Sequence, residues 1–355
     1  MSEQATTAVR VLVAGLGNMG ISHAKAYQAN PGFEIAGLVN RSKVTLPQAL
    51  ADRQIEPDFY NSLHKHKPDL VSVNTYSDTH AEYAIAAMEA GAHVFVEKPL
   101  ATNLADARKV VACARANQRK LVVGYILRHH PSWMRLITEA RQLGGPFVFR
   151  MNLNQQSSGP TWHTHRQLMD TTPPIVDCGV HYVDVMCQIT DAKATQVRGM
   201  GVRLTQDIAP HMYNYGHFQV LFDDDSVGWY EAGWGPMMSE TAFFVKDVIS
   251  PSGCVSIVMS DDAKSDDVDT HTKTNLLRVH SSAMLADGSF ASPDNEISMQ
   301  DEPGDDDLCA REQAYVLKAI REDLDLERHM NDAVQSLQIC LAADESVRSG
   351  LAVSL

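Results

Sequence analysis

The sequence predicts an α/β protein of two domains, in which a parallel-sheet domain is followed by an α/β domain with an open, mostly antiparallel sheet. The chain has 355 residues, more than one hydrophobic core usually organises. Its first third alternates short apolar runs with helical segments, which indicates a parallel sheet with helices on both faces. Its second half has apolar runs that follow one another without helices, which is typical of antiparallel pairing.

The first domain begins with a β-rich run at Val9–Ala14 and continues as a helix over Met19–Ala29. That helix stops at Asn30-Pro31-Gly32, because neither proline nor glycine favours its continuation. The remaining elements predicted for this domain are strands at Phe33–Val39, Leu70–Val73, His93–Val96 and Lys120–Gly124, and helices at Thr79–Ala90 and Asn103–Ala116. We therefore assign residues 1–124 to the first domain and residues 125–355 to the second, with a C-terminal helix that packs back on the first.

The second domain is predicted from strand-like runs that lack intervening helices. These runs are Phe147–Leu153, Thr195–Arg203, His217–Phe222, Val227–Ala232, Cys254–Met259 and Leu276–His280. One helix is predicted at Asp177–Ile189, and two closing helices at Arg311–Arg321 and Asp332–Arg348.

Charge and hydropathy exclude several classes of partner. Lys and Arg total 30 against 44 for Asp and Glu, and a net charge of -14 repels nucleic acid and anionic membrane surfaces. Met1–Arg10 has no apolar signal-peptide region, and no run of apolar residues is long enough to span a bilayer. We therefore expect a cytoplasmic protein that binds neither membrane nor nucleic acid.

Neither the acidic stretches nor the cysteines indicate a metal site. Asp223–Asp225, Asp261–Asp269 and Asp301–Asp307 are predicted to be solvated loops, because none has the spacing of a calcium-binding loop. The six cysteines are far apart and form no Cys-x-x-Cys pair, which favours reduced thiols over disulfides or zinc ligands.

The turn Gly15-Leu16-Gly17-Asn18-Met19-Gly20 follows the first strand and opens the first helix. In this context Gly15 permits a tight turn, Gly17 lets a pyrophosphate approach the backbone, and Gly20 lets the helix pack on the sheet. The helix N-terminus offers N–H donors and a positive dipole to the same anion. The pattern therefore predicts a Rossmann domain that binds a dinucleotide.

The second strand ends at Asn40-Arg41-Ser42, where an Asp or Glu that binds both ribose hydroxyls of NAD is usual. No carboxylate repels a 2'-phosphate here, and Arg41 is available to pair with one, so NADP is allowed. Asn40 and Ser42 are equally able to bind a free ribose hydroxyl. The choice between NAD and NADP stays open at this point.

A charged pair follows the predicted strand His93–Val96, at Glu97-Lys98-Pro99. Ligands of open α/β sheets bind at the carboxyl ends of the strands. A lysine there is able to hydrogen-bond a substrate hydroxyl and favour its alkoxide, and Pro99 allows a cis peptide bond.

In the segment Asp177–Asp184, a helical spacing of i, i+4 and i+7 places Asp177, His181 and Asp184 on one face. A histidine near its ordinary pKa is able to take a hydroxyl proton while hydride leaves the same carbon, and a carboxylate beside it orients the ring. The pattern predicts a general base.

These motifs, in this order, resemble the glucose-fructose oxidoreductase, inositol dehydrogenase and MocA family. The resemblance extends over nearly the whole chain, and the stretches that carry it are Val11–Gly20, Asp69–Pro99, Gly124–Arg128 and Asp177–Asp184. The resemblance implies NAD(P)-dependent transfer of a hydride between nicotinamide and a carbinol of a sugar, sugar acid or cyclitol. It also implies that Lys98, Asp177 and His181 form the catalytic group, and that the free face of the second sheet forms a homodimer or homotetramer interface.

The remaining site residues are expected on the same basis. The expected cofactor contacts are Gly15, Gly17, Asn18, Met19, Gly20, Asn40, Arg41, Ser42, Thr75, Tyr76, His80, Glu97 and Lys98. The expected substrate contacts are Tyr125, Arg128, Trp162, His163, His165, Arg166, Asp177 and His181. Many relatives have Thr-Pro where this chain has Thr75-Tyr76, so contacts to the nicotinamide ribose are expected to differ.

Three other features bear on the substrate. We interpret Trp162–Arg166 as a donor-rich loop for substrate recognition and not as a metal site, because no third ligand lies nearby in sequence. Arg128, with the two histidines after it, adds positive charge suited to an acidic sugar. Trp229, Tyr230 and Trp234 either stack on a sugar ring or pack in the core.

Two alternatives to a dehydrogenase stay open. A redox-assisted glycosidase would use bound NAD without net turnover, with Tyr125, His163 and His165 as extra acid–base groups. A non-catalytic regulator would bind the cofactor alone. The exact substrate depends on pocket geometry, which one sequence does not contain.

Overall fold

The computed structural model describes residues 7–241, 243–259, 263–266, 274–299 and 302–355. The chain divides into two compact units, one of Met1–Ile126 with Gly304–Val334 and the other of Leu127–Pro303 with Gln335–Leu355. The predicted division at residue 124 lies two residues before the end of the first stretch at Ile126, and residues 304–334 also belong to the first unit. The reason is a helix late in the chain whose apolar face completes the first unit's core.

The first unit contains a six-stranded parallel sheet of order β3-β2-β1-β4-β5-β6. Its strands are β1 (Val9–Ala14), β2 (Phe33–Val39), β3 (Ile55–Glu56), β4 (Leu70–Val73), β5 (His93–Glu97) and β6 (Leu121–Gly124). Its helices are α1 (Asn18–Ala29), α2 (Phe59–His66), α3 (Ser77–Glu89), α4 (Leu104–Ala116), α9 (Asp305–Arg321) and the start of α10 (Glu327–Ser349). The predicted Rossmann architecture is confirmed.

Burial explains why these strands form. All four residues of β4 are buried, and five of the six in β1, as expected for strands whose two faces are both covered. Two helix starts are fixed by side-chain caps, in which Asp58 accepts from the backbone N–H of Asn61 at 2.7 Å and Asn103 from that of Asp106 at 2.9 Å. α9 joins this core through Tyr27, whose hydroxyl donates to Gln313 at 2.6 Å.

The strand order brings the segments that contain the candidate site residues to one edge of the sheet, the edge formed by the carboxyl ends of its strands. β1 lies between β2 and β4, and β5 follows β4. Because all six strands are parallel, the segments after β1, β2, β4 and β5 emerge on the same side. This is the edge at which doubly wound sheets bind dinucleotides.

The second unit contains a nine-stranded sheet of order β14-β13-β12-β11-β7-β10-β9-β8-β15, in which only the β7–β10 pair is parallel. Its strands are β7 (Val148–Gln156), β8 (Ala194–Val202), β9 (Tyr215–Phe222), β10 (Val227–Gly235), β11 (Lys246–Ser250), β12 (Gly253–Val258), β13 (Leu276–Ser281), β14 (Asn295–Ser298) and β15 (Val353–Ser354). Its helices are α5 (Pro131–Leu143), α6 (Gly159–Leu168), α7 (Pro174–Asp177), α8 (Gly179–Ile189) and the rest of α10. The predicted mostly antiparallel sheet is confirmed.

Two local predictions for this unit were wrong. The helix predicted over Asp177–Ile189 is interrupted at Cys178, so Asp177 ends α7 and α8 begins at Gly179. The segment Trp162–Arg166 lies within α6 and not in a loop. Pro160 occupies the first turn of α6, where a proline needs no partner for its missing N–H.

The acidic stretches have more structure than predicted. Asp223–Asp225 forms the turn between β9 and β10, where Asp224 accepts from the Thr190 hydroxyl at 2.8 Å. Asp305–Asp307 form the first turn of α9, where carboxylates are stabilised by the helix dipole. Most of Asp261–Asp269 lies outside the described residues.

All six cysteines lie in the described ranges, and no disulfide joins any two of them. Among the described helices, none combines the length and apolar character needed to cross a bilayer.

Candidate functional site

The glycine turn after β1 has the geometry that its sequence predicts. Gly15 has a φ of +88°, and a Cβ atom there would overlap the backbone carbonyl of Asn74. A Cβ atom on Gly20 would overlap the carbonyl oxygen of Gly15. Both positions therefore exclude any larger residue.

The N-terminus of α1 is exposed at this turn. Gly17 is its N-cap, no described side chain caps it, and a Cβ atom at Gly17 would meet nothing within 4 Å. Asn18 is exposed beside it, and 40% of the Met19 surface is accessible. Uncapped N–H groups in open space are the arrangement that binds a pyrophosphate, so these residues fit a dinucleotide.

At the end of β2, the Asn40 side chain is already engaged within the protein. Its Oδ1 accepts from the backbone N–H of Leu16 at 3.0 Å, and its Nδ2 donates to the carbonyl of Ser42 at 2.8 Å. Asn40 therefore ties β2 to the glycine turn. Arg41 and Ser42 are exposed.

Lys98 follows β5 and is half-buried, and its peptide bond to Pro99 is cis. The preceding Glu97 is only 8% exposed. Glu97 Oε2 accepts from the backbone N–H of Lys98 at 3.1 Å, and Glu97 Oε1 lies 2.7 Å from Nε2 of His23. Glu97 thus holds the main chain of the lysine from inside the protein.

His80 was expected to contact the cofactor, but its ring is buried between two backbone carbonyls. Nδ1 lies 2.8 Å from the carbonyl of Pro99 and Nε2 lies 3.0 Å from that of Thr75. Burial lowers the pKa of His80, and a neutral ring carries one N–H, which it donates to one of the two carbonyls. His80 therefore links the segments after β4 and β5, and Tyr76, 62% exposed, is the open side chain there.

Tyr125, an expected substrate contact, is fully buried in the first unit. Its ring packs edge-on against His329, with 6.4 Å between the centroids. The nearby Val123 donates its backbone N–H to Nε2 of His329 at 2.8 Å. Tyr125 is thus part of a packed interior contact.

The three titratable groups expected on one helix face differ in burial and in the elements that carry them. Asp177 ends α7 and is 8% exposed, whereas His181 is half-buried in α8. Asp184 is fully buried and accepts two hydrogen bonds from Arg128, from Nε at 2.8 Å and from Nη2 at 2.6 Å. Cys178, between the two helices, keeps right-handed helical dihedral angles, and Arg128 engages Asp184.

The Arg128 pair also changes the charge expected at the substrate site. Its guanidinium charge is balanced by the Asp184 carboxylate in a bidentate contact. Arg128 therefore adds no net positive charge for an acidic sugar.

Helix α6 divides the donor-rich segment between two faces. His163 is exposed, whereas His165 is buried, stacks on Trp234 at a centroid distance of 4.3 Å and has Nδ1 3.0 Å from the Ser157 hydroxyl. Residues two apart on a helix point about 200° away from each other, so the two histidines do not share a site. Trp162 is buried with the Arg166 guanidinium 5.9 Å from its ring centroid.

Two of the three aromatic residues on β10 pack in the core. Tyr230 is fully buried and stacks on Tyr182 with 5.0 Å between centroids, and Trp234 is covered by His165. Trp229 points to the other face and is half-buried.

Sequence reasoning missed a buried cluster in the first unit. His23, Glu97 and Glu312 each offer a ligand-type atom, and these atoms all lie within 4.8 Å of one another. The sequence offered one signal for His23, which lies three positions after Gly20 and therefore on the same, buried face of α1. Glu312 lies on α9, and nothing in the sequence connects α9 to β5.

Comparison with known proteins agrees with this geometry. The family model "Oxidoreductase family, NAD-binding Rossmann fold" matches residues 9–125. The model "GFO/IDH/MocA C-terminal domain" matches residues 133–244. The first match contains the glycine turn and Lys98, and the second contains Asp177 and His181.

Similar proteins include several inositol dehydrogenases. Inositol 2-dehydrogenase of Gluconacetobacter diazotrophicus is 32% identical over 151 residues, 41% of this chain and 43% of the relative. The scyllo-inositol 2-dehydrogenase (NAD(+)) of Bacillus subtilis is 27% identical over 235 residues, 63% of this chain and 67% of the relative. The chain thus matches roughly half to two thirds of these relatives' own length.

Among solved structures, scyllo-inositol dehydrogenase from Lactobacillus casei with bound NAD(H) and scyllo-inositol superposes with a TM-score of 0.73. The alignment is 17% identical and covers 98% of this chain and 99% of the other. This similarity establishes the fold. The family-model matches to both halves show that the chain belongs to the Gfo/Idh/MocA oxidoreductase family.

Proposed function

We propose that this chain is an NAD(P)-dependent dehydrogenase that transfers a hydride between nicotinamide and a ring carbinol of a cyclitol or sugar. The observation that carries the proposal is the position of Lys98. It follows β5, two strands from β1 in the same parallel sheet, so it emerges at the edge that also bears the glycine turn. A substrate-activating lysine and a pyrophosphate site at one sheet edge are what this chemistry requires.

Each proposed catalytic residue has one task. Bound dinucleotide supplies or accepts the hydride at its nicotinamide ring. The Lys98 ammonium hydrogen-bonds the substrate hydroxyl and stabilises its alkoxide character. The His181 imidazole takes the hydroxyl proton in the oxidative direction and returns it in the reductive one. The Asp177 carboxylate stabilises the imidazolium and orients the ring.

The proposed substrate is a neutral polyol and not a sugar acid. Arg128, which was expected to add positive charge for an acidic sugar, already pairs with the Asp184 carboxylate. The names of the relatives, which are inositol dehydrogenases, support the same class.

The redox-assisted glycosidase has less support. It needs acid–base groups beyond the proposed three, and two of the residues expected to supply them, Tyr125 and His165, are buried against His329 and Trp234. We therefore do not propose glycoside cleavage.

The direct test is nicotinamide reduction with purified protein, NAD and NADP, and a panel of inositols, neutral sugars and sugar acids. We expect reduction with at least one neutral polyol, and Lys98→Met should lower kcat about 10²- to 10⁴-fold. Lys109→Met is the matched control, because Lys109 is an exposed lysine on α4 that pairs with Asp106, and it should retain activity. Activity only with sugar acids, or equal activity in Lys98→Met, would contradict the proposal.

A further inference from the structure

A chain of buried hydrogen bonds leads from α1 and α9 to the backbone of Lys98. The Tyr27 hydroxyl donates to Oε1 of Gln313 at 2.6 Å, and Gln313 Nε2 donates to Nδ1 of His23 at 2.9 Å. His23 Nε2 meets Oε1 of Glu97 at 2.7 Å, and Oε2 of Glu97 accepts from the backbone N–H of Lys98 at 3.1 Å. The four residues whose side chains form this network, Tyr27, Gln313, His23 and Glu97, are each at most 8% exposed.

The direction of these bonds fixes where the protons are. An amide nitrogen only donates, so Nδ1 of His23 accepts from Gln313. The ring proton of His23 is therefore on Nε2, from which it is donated to Glu97. Both oxygens of Glu97 act as acceptors, which is the arrangement of an ionised carboxylate.

Glu312 is a second carboxyl group in the same cluster. It is 1% exposed, and its ligand-type atom lies within 4.8 Å of those of His23 and Glu97. Burial, and then the charge of Glu97, raise the pKa of Glu312 well above its usual value. Two buried carboxyl groups at this distance disfavour ionisation of both, and the two hydrogen bonds that Glu97 accepts favour the charge on Glu97 over Glu312.

The other titratable groups around Glu312 stay neutral. Burial is the main cause that raises the pKa of Tyr27 on α1 and of Cys309 on α9 far above their usual values. Tyr27 and Cys309 therefore add no charge to the cluster.

We propose that His23, Gln313 and Glu312 are positioning residues for Lys98. They hold Glu97 as a singly charged, immobile acceptor for the Lys98 backbone, and so fix where the lysine ammonium stands during hydride transfer. The proposal rests on the proposed function of Lys98. The alternative is that His23, Glu97 and Glu312 bind a metal ion and not a proton. The experiments below distinguish the two.

The first experiment uses Gln313→Met, which keeps the side-chain volume and removes the donor to His23. Because Gln313 reaches Lys98 through His23 and Glu97, we expect kcat to fall about tenfold while the dinucleotide Kd stays within about twofold. The control is His66→Asn, which removes a histidine–glutamate pair, His66 with Glu56 on β3, the outermost strand on the β2 side of the same sheet. His66→Asn should leave kcat unchanged.

The second experiment does not depend on activity. Hydrogen exchange of the Lys98 amide should be faster in Gln313→Met than in wild type, because its acceptor Glu97 is no longer held, and unchanged in His66→Asn. If Gln313→Met differed from wild type only in melting temperature, Gln313 would have a structural role and would not position Lys98. That result would overturn the proposal.

The third experiment tests the proton on Glu312 with Glu312→Gln, which is neutral at every pH. When folding raises the pKa of a carboxyl group, the protein loses stability as the pH rises above the pKa of that group in the unfolded chain, about 4.5. The melting temperature of Glu312→Gln relative to wild type should therefore be more favourable at about pH 8 than at about pH 5.

Three results would overturn the inference: unchanged kcat and Lys98 exchange in Gln313→Met, equal melting differences at both pH values, or one equivalent of metal ion in the purified protein by elemental analysis. If wild-type protein reduces neither NAD nor NADP with any substrate, the proposed function fails. The exchange and melting measurements still decide the cluster in that case.

Discussion

At the scale of single residues, the cofactor edge of the first unit shows how one side chain limits what a site recognises. Asn40 stands where a ribose-binding carboxylate is usual, and its amide is used to hold Leu16 and Ser42. It therefore contributes no charge that would repel a 2'-phosphate. The charged side chain open to solvent beside it is Arg41.

We predict that Arg41 discriminates between the two cofactors. Arg41→Ala should raise the Kd of NADP about 10- to 100-fold, because a charge-assisted hydrogen bond to phosphate is lost, and change that of NAD less than about threefold. Fluorescence titration with each dinucleotide measures both constants. Lys43→Ala, which removes a nearby exposed cation, is the control. Equal losses for NAD and NADP would mean that Arg41 does not contact the 2'-position.

Gly15 is predicted to be irreplaceable for two separable reasons. Gly15→Ala should destabilise the protein through the positive φ, about 1–3 kcal/mol, and additionally through overlap with the Asn74 carbonyl. Gly91→Ala isolates the first cost, because Gly91 has a φ of +92° with nothing within 4 Å of its Cβ position. Urea unfolding of both variants should show the larger loss of unfolding free energy for Gly15→Ala. Equal losses in the two variants would disprove the overlap with Asn74.

At the scale of secondary structure elements, histidines at strand and helix ends act as connectors and not as surface charges. His80 links the segments that follow β4 and β5, and His329 receives the backbone N–H of Val123 in β6. His93 at the start of β5 accepts from the backbone N–H of Lys120 at 2.9 Å, just before β6. A protonated ring nitrogen does not accept, so this last contact requires a neutral ring.

We predict that His93 makes the β5–β6 connection sensitive to acid. Burial, with Arg119 and Lys120 nearby, lowers the pKa of His93 to about 4, below the unfolded value of 6.5. The unfolded chain therefore binds this proton first, and stability present above pH 6.5 is lost as the pH falls toward 4. His93→Gln keeps an acceptor for Lys120 and should lose less stability between about pH 7 and about pH 5 in urea unfolding. A loss as steep as that of wild type would exclude His93 as the cause.

At the scale of the whole molecule, the open face of the nine-stranded sheet is the main surface still to be explained. Four apolar side chains on β11, β7, β10 and β9 pair across the strands in one row, each 36–43% exposed. They are Ile249, Val148, Val227 and Leu221. A continuous apolar row on a folded chain is typical of a protein interface.

We predict that a second copy of this chain covers that row. Val227→Glu would bury an unpaired carboxylate in the interface, so the sedimentation coefficient should fall to that of a smaller species while the melting temperature of the monomeric fold is kept. Met134→Glu changes an exposed methionine on α5, 52% exposed, and should not alter the assembly. A wild-type protein that already sediments as a monomer would refute the prediction.

Some of the candidate site was predictable because its signals are local. The glycine turn, Glu97-Lys98-Pro99 and the alternation of strands and helices each occupy a few adjacent residues whose spacing reflects backbone geometry. The helix break at Cys178 and the helical course of Trp162–Arg166 were missed, because propensity over a short window does not include the packing that decides such boundaries.

The sequence by itself determined a Rossmann domain with a dinucleotide turn, a second domain with a mostly antiparallel sheet, and the lysine that follows β5. Only the tertiary structure decided that α9 completes the first core, that Arg128 neutralises Asp184, and that Glu97 belongs to a buried cluster. The physical reason is separation along the chain, since His23 and Gln313 meet across 290 positions and Arg128 and Asp184 across 56. Contacts of that kind leave no periodic trace in the sequence, because they depend on which faces the completed fold brings together.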